Sequence, residues 1–168
     1  MPLDSGVPSS GLFFEDYEVG TTYIHWPGRT ITQQDNIDFS IRMFSYNPIY
    51  LDEEYAKHTP FGRCVINPLL VANVSIGMSV KDMSQNVLAA LGFDSHEFLT
   101  SVYPGDTIYS ETKVLEKRES RSRPFAGIVT LLHIAHNQKK EKIFECKRSI
   151  IVHKKGASPV IGRPSPKD

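Results

Sequence analysis

Hydrophobic and polar positions divide the chain into a helix-patterned first half and a strand-patterned second half. Thr21–Trp26 alternates and is rich in β-formers, which predicts a first strand, and Pro27-Gly28 is expected to break it. Thr30-Ile31-Thr32 reads as a short extended piece. Thr32 followed by Asp35 predicts an N-cap with an acid in the first helical turn. Ile37, Ile41 and Phe44 then fit one apolar face of that helix. Asn47-Pro48 is expected to end it, because proline disfavours αR in the preceding residue. Asp52–Lys57 suits a short helix with its acids at the positive end, and Thr59-Pro60-Phe61-Gly62 suits a turn. Asn67 sits where an N-cap belongs and Pro68 at the first helical position. From there Leu69, Leu70, Ala72, Val74, Gly77 and Met78 carry a helix to about Val80. It is apolar on most sides, which predicts burial.

Beyond residue 86 the period shortens to two. Asn86–Phe93, Phe98–Tyr103, Thr107–Lys117, Gly127–Asn137 and Ile143–His153 read as strands, with turns at Pro104-Gly105-Asp106 and Asn137–Glu141. Their connections are too short for helical crossovers, so the strands are expected to be antiparallel. Helices followed by a run of strands is the order of an α+β fold, here one long central helix wrapped by an antiparallel sheet. Pro-, Gly- and Ser-rich ends predict a flexible arm over residues 1–12 and a flexible tail over 156–168, around one domain at 13–155.

Composition narrows the function. A chain of 168 residues, 40% hydrophobic and 23% charged, suits one soluble globular domain. Nineteen basic residues balance nineteen acidic ones, which gives no support for electrostatic binding to nucleic acid or membrane. No apolar run approaches the roughly 18 residues of a membrane span, and the first ten residues lack the features of a secretory leader. Cys64 and Cys146 are far apart, without metal spacing, and read as packed, reduced thiols of a cytoplasmic protein. His133 and His136 lie three apart in a strand and so face opposite sides, and no metal site is expected. His58 is expected to be exposed.

The stretch Phe44–Leu70 concentrates the candidate chemistry. Three segments, FFEDYEVG, NPIYLDEEYAKHTPFG and PGDTIYSETKVLEKRESRSRP followed by GIVTL, resemble the MaoC-type dehydratases, the hydratase branch of the hot-dog fold. The resemblance runs from about Phe13 to Lys154. It implies a homodimer through sheet pairing and an acyl thioester ligand on coenzyme A or a carrier protein. It implies reversible hydration of a trans-2-enoyl thioester, with no cofactor beyond the coenzyme A of the substrate. The third segment most resembles the subgroup associated with branched dicarboxylic substrates such as mesaconyl-CoA.

The family motif Asp-x-Asn-Pro-x-His aligns with Ser45-Tyr46-Asn47-Pro48-Ile49-Tyr50. Asn47 and Pro48 are kept, Ser45 stands at the Asp position and Tyr50 at the His position. Neither is a neutral-pH base unaided, since tyrosine ionises near ~10 and serine far higher. Ser45, Asn47 and Tyr50 are therefore expected to organise the water rather than to ionise. The family's His-Gly at the start of the central helix aligns with Asn67-Pro68, and proline has no N–H for the thioester oxygen. The N–H groups of Leu69 and Leu70, or the Asn67 amide, are the remaining candidate donors. Phe61 and Gly62 are candidate substrate contacts. Arg121 and Arg123, in a basic cluster, suit coenzyme A phosphates or a second carboxylate. Plainer roles stand beside these: Tyr50 as a packed aromatic, Ser45 as a helix-end hydroxyl, Asn47 as a turn former, Asn67 as an N-cap. Three functions follow: a hydratase of altered mechanism, an acyl-CoA-binding partner subunit with little turnover, or a thioesterase drawing a carboxylate from Asp52, Glu53 or Glu54.

Overall fold

A computed structural model describes residues 11–158; most of the expected arm and tail lie outside the described residues. Five strands form one antiparallel sheet, β1 (Thr22–Thr30), β2 (Val87–Phe98), β3 (Thr107–Glu119), β4 (Ala126–His136) and β5 (Lys142–His153), in the order β1-β3-β4-β5-β2. The helices α1 (Gln33–Arg42), α2 (Pro48–Leu51), α3 (Glu53–Lys57) and α4 (Pro68–Gly77) precede β2. α4 lies against β3, β4 and β5.

The α4 start follows the sequence signals. Asn67 caps it by accepting a hydrogen bond from Leu69 N–H at 3.0 Å, and Pro68 occupies its first position. Its burial does not: Leu70, Val71, Ala72 and Ser75 are buried, while Leu69, Asn73 and Gly77 are exposed, so the sheet covers one face of the helix rather than all of it. α1 opens with a capping box between Thr32 and Asp35, as expected. The face it turns inward is polar. Asn36 and Ser40 are fully buried, whereas Ile41 and Phe44 are exposed, Phe44 by 81%. The expected apolar face is overturned because this helix docks through the hydrogen bonds of Asn36 and Ser40, with half-buried Phe39 packed against the core beside them.

Three further expectations are corrected. Pro27-Gly28 does not end the first strand, which runs on to Thr30 through an irregularity in register between His25 and Arg29. A Cβ on Gly28 would sit 2.5 Å from the Tyr109 ring, so only glycine lets the strand pass here. Asn47 does not terminate α1, which stops at Arg42; it begins α2, accepting from Ile49 N–H at 3.2 Å with Pro48 at the first position. Phe98–Tyr103 is not a strand. After Leu99 N–H donates to Ile143 O, the chain leaves the sheet, and Val102 O instead accepts from Ile66 N–H at 2.8 Å.

Candidate active site

Asn36 on α1 ties the site together. Its Nδ2 donates to Tyr50 O and Val65 O, each at 3.0 Å, and its Oδ1 accepts from Asn67 N–H at 2.7 Å. Gln33 Nε2 adds a second donor to Tyr50 O at 2.9 Å. One buried side chain thus holds α2, the segment before α4 and the α4 cap in fixed relation. Asn67 Nδ2 in turn donates to Ser40 Oγ at 3.3 Å and to Ser45 Oγ at 3.2 Å. Asn67 is 2% exposed, and its backbone N–H, carbonyl and side chain are all engaged.

Beside this network lies a cleft of about 440 Å³ lined by Asn47, Tyr50, Phe61 and Pro68, with Phe98 and Leu99 on the opposite wall. The structure therefore brings Tyr50, at the aligned His position, to the same cavity as the first residue of the central helix. The Tyr50 hydroxyl makes no hydrogen bond among the described residues, and burial pushes its pKa up. At neutral pH it is a neutral donor and acceptor. Ser45 sits behind the cleft wall on the Asn67 amide. Gly62, at a φ of 67°, lines an adjoining hollow of about 290 Å³ with Glu53, Lys57, Arg63 and Cys64.

The expected donors for a thioester oxygen are not free. Leu69 N–H is taken by Asn67 Oδ1, and Leu70 N–H donates to Asn67 O at 2.9 Å. The asparagine cap satisfies the second and third helical N–H groups, and the proline deletes the first. The Asn67 amide is also occupied. Of the carboxylates considered for hydrolysis, Asp52 caps α3, Glu54 pairs with Lys57, and Glu53 faces the adjoining hollow; none lines the cleft. Arg121 and Arg123 are placed apart from it. They sit on the β3–β4 turn, where Ala126 pairs with His153, while cleft residue Ile143 is at the other end of β5. That strand of twelve residues separates the two ends by roughly 35 Å. Arg121 shares a separate shallow hollow with Arg118 and Glu119. The thiols offer no nucleophile: burial raises the pKa of Cys64, and that of Cys146 to about 11.

Sequence reasoning missed a second polar cluster. Arg148 Nε donates to His133 Nε2 at 2.8 Å; His133 Nδ1 and Thr112 Oγ1 are 2.9 Å apart; Thr112 Oγ1 and His25 Nε2 are 2.8 Å apart; His25 Nδ1 reaches Asp82 at 3.1 Å. Because Arg148 can only donate, Nε2 of His133 accepts and its Nδ1 carries the proton. His133 Nδ1–H then donates to Thr112, the Thr112 hydroxyl to His25, and His25 Nδ1–H to Asp82. The row crosses β1, β3, β4 and β5 and separates two apolar clusters, one around Ile108, Ala135 and Phe144, the other around Val114, Leu131 and Ile150. The available signal was parity: His133 and Arg148 occupy the inward positions of strands whose other inward residues are mostly apolar.

Burial, and after it the charge of Arg148, lowers the His133 pKa to about 3, against about 6.5 unfolded. The folded protein keeps this imidazole neutral while the unfolded chain takes up a proton. Stability from this group is therefore complete above pH 6.5 and declines as pH falls toward 3, by up to about 1.4 kcal/mol per pH unit. Urea unfolding between pH 7 and 4 should show that slope. His133→Gln, which keeps one acceptor and one donor but does not titrate, should flatten it; an unchanged slope in the variant would assign the loss to other groups.

Comparison with known proteins agrees with this architecture. The family described as "MaoC like domain" matches residues 15–137. A beta-methylmalyl-CoA dehydratase of Chloroflexus aurantiacus is 32% identical over 90% of this chain and 43% of its own length. A mesaconyl-CoA hydratase of Cereibacter sphaeroides is 27% identical over 88% of this chain and 43% of its own. A crystal structure of a putative MaoC domain protein dehydratase from Chloroflexus aurantiacus superposes with a TM-score of 0.83 at 30% identity, over 95% of this chain and 46% of that one. The chain spans less than half the length of these relatives. The helix-on-sheet architecture is the hot-dog fold, and the chain belongs to the MaoC-like domain family.

Proposed function

We propose that this chain binds an acyl-CoA thioester in the Tyr50–Pro68 cleft and adds or removes water between a 2-enoyl-CoA and a 3-hydroxyacyl-CoA. The observation that carries the reading is the position of Tyr50, at the aligned His site and on the wall of the cleft beside α4. Its neutral hydroxyl would hold the water with Asn47, and Ser45 would act through Asn67 rather than touch it. The names of the two relatives support coenzyme A thioesters, and put branched dicarboxylic acyl groups among those to test. Purified protein should hydrate crotonyl-CoA or mesaconyl-CoA, followed as loss of enoyl absorbance. Tyr50→Phe should lower that rate at least about tenfold while thioester affinity stays within about twofold, since only a positioned proton donor is removed. An unchanged rate would remove Tyr50 from the mechanism.

A second reading is favoured by the engaged N–H groups of α4. On this reading the chain is a binding subunit with little turnover, completed by another hot-dog subunit. The edge strand β2 presents exposed Leu88, Leu91 and Phe93, which suits pairing with a second copy or a homologous chain. Relatives about twice as long agree with a two-unit assembly. Tight thioester binding without product over long incubation would select it.

A further inference from the structure

We infer that the acyl group this cleft takes is uncharged at its distal end, unlike the dicarboxylic acyl groups in the names of its relatives. The inference rests on the acyl-thioester reading above and narrows its substrate.

Among the described residues the side chains of the cleft wall are hydrocarbon except for Asn47, Tyr50, Thr100 and Ser101, and no lysine, arginine or histidine is among them. Of those four, Asn47 spends its Oδ1 on Ile49 N–H and Thr100 spends its hydroxyl proton on Lys142 O. What remains suits a thioester carbonyl and a water, not a second carboxylate. The cations nearby in the chain are turned elsewhere. Lys142 pairs with Glu145, and Lys57 pairs with Glu54. Arg63 lies on the far side of the Phe61–Ile66 wall, with its guanidinium 3.8 Å from the Tyr103 ring centre and Glu53 on the same hollow. A carboxylate carried into an apolar cleft without a cation loses its hydration and gains no opposite charge in return. A methyl at the same place gains by leaving water. The cleft volume of about 440 Å³ is at the small end for ligand pockets, which suits a short acyl chain.

Two thioesters separate these cases cleanly. Tiglyl-CoA and the mesaconyl-CoA isomer whose methyl branch is on C2, next to the thioester carbonyl, share one branched enoyl skeleton and differ at C4, a methyl in one and a carboxylate in the other. Calorimetric titration of the full chain with both, and with coenzyme A alone, reads the preference directly. The expected result is that tiglyl-CoA binds at least about tenfold more tightly than mesaconyl-CoA, and more tightly than coenzyme A. Equal or tighter binding of mesaconyl-CoA overturns the inference and leaves the acyl-thioester reading in place. Failure of both thioesters to outbind coenzyme A overturns that reading, and the inference with it. A variant locates the discrimination. Leu99 is a half-exposed wall residue that tolerates a longer side chain. Leu99→Arg should shift the preference at least about tenfold toward mesaconyl-CoA. A preference unmoved by that cation places the selection outside the cleft and sinks the inference.

Discussion

Replacing Ser45 by Asp and Tyr50 by His together should raise enoyl-CoA hydration by roughly 10²–10⁴-fold. The aligned motif differs from the family pattern at these two positions, and the backbone that presents the second of them is well fixed. Tyr50 O accepts from both Gln33 and Asn36, so an imidazole placed there starts from a held main chain at the cleft wall. Tyrosine at this point cannot be a base near neutrality, and burial moves it further from that role. The new carboxylate would sit within reach of the Asn67 amide, as Ser45 Oγ does now. Its signature is a pH–rate profile that gains a limb near the ordinary imidazole pKa, ~6.5. The donor deleted at the helix start is a separate deficit. Pro68→Gly returns one N–H at the first helical position, and a lost oxyanion donor is worth about 10²–10³ in rate. If the Ser45/Tyr50 exchange leaves the rate unchanged even on the Pro68→Gly background, the cleft is a binding site and the hydratase reading fails.

Asn36→Ala should destabilise the protein by roughly 2–5 kcal/mol. The side chain is wholly buried and hydrogen-bonds Tyr50 O, Val65 O and Asn67 N–H, with a longer contact to Gln33 Oε1. Its removal strands Asn67 N–H and one acceptor pair on Val65 O, away from water, while Tyr50 O keeps Gln33. Each stranded group costs about 1–3 kcal/mol, a large part of a typical domain's stability of about 5–15 kcal/mol. Urea unfolding of the variant against the parent measures this. Asn36→Asp keeps the acceptor for Asn67 N–H but brings a buried charge and loses both donors, so it should be no milder. A change below about 1 kcal/mol in Asn36→Ala would mean that water or a rearranged amide replaces the hub.

Those elements with local chemical signals were legible in the sequence. Thr32 with Asp35, Asn67 with Pro68, and the turn at Thr59–Gly62 each carry their own start or stop chemistry, and each forms where expected. α1 was misread because helical periodicity looks for an apolar inward face, and this helix presents Asn36 and Ser40. The first strand was cut short because a proline and a glycine usually end strands, whereas here an irregular register absorbs both. The polar row was invisible because its members lie as much as 123 positions apart and meet only through strand register. For the site, the motif alignment brought Tyr50 to the cleft with Pro68, but the state of the α4 N–H groups depends on which way an asparagine amide points. Arg121 and Arg123 were grouped with the substrate by likeness of a segment, and only the strand lengths show how far that turn stands from the cleft within one chain.

The polar row that runs from Asp82 at the surface to buried Arg148 also bears on how the strands find their alignment. A slip of one residue turns every apolar side chain of a strand outward, and hydrophobic burial alone forbids it. A slip of two residues keeps the same face inward, so hydrocarbon scarcely registers the error. Here such a slip of β4 would put Leu131 or Ala135 where His133 stands between Thr112 and Arg148. It would leave the Arg148 Nε–H without its acceptor and take from the Thr112 hydroxyl one of its two imidazole partners. The row thus works like the bitting of a key, rejecting even-numbered misfits that a greasy sheet would accept.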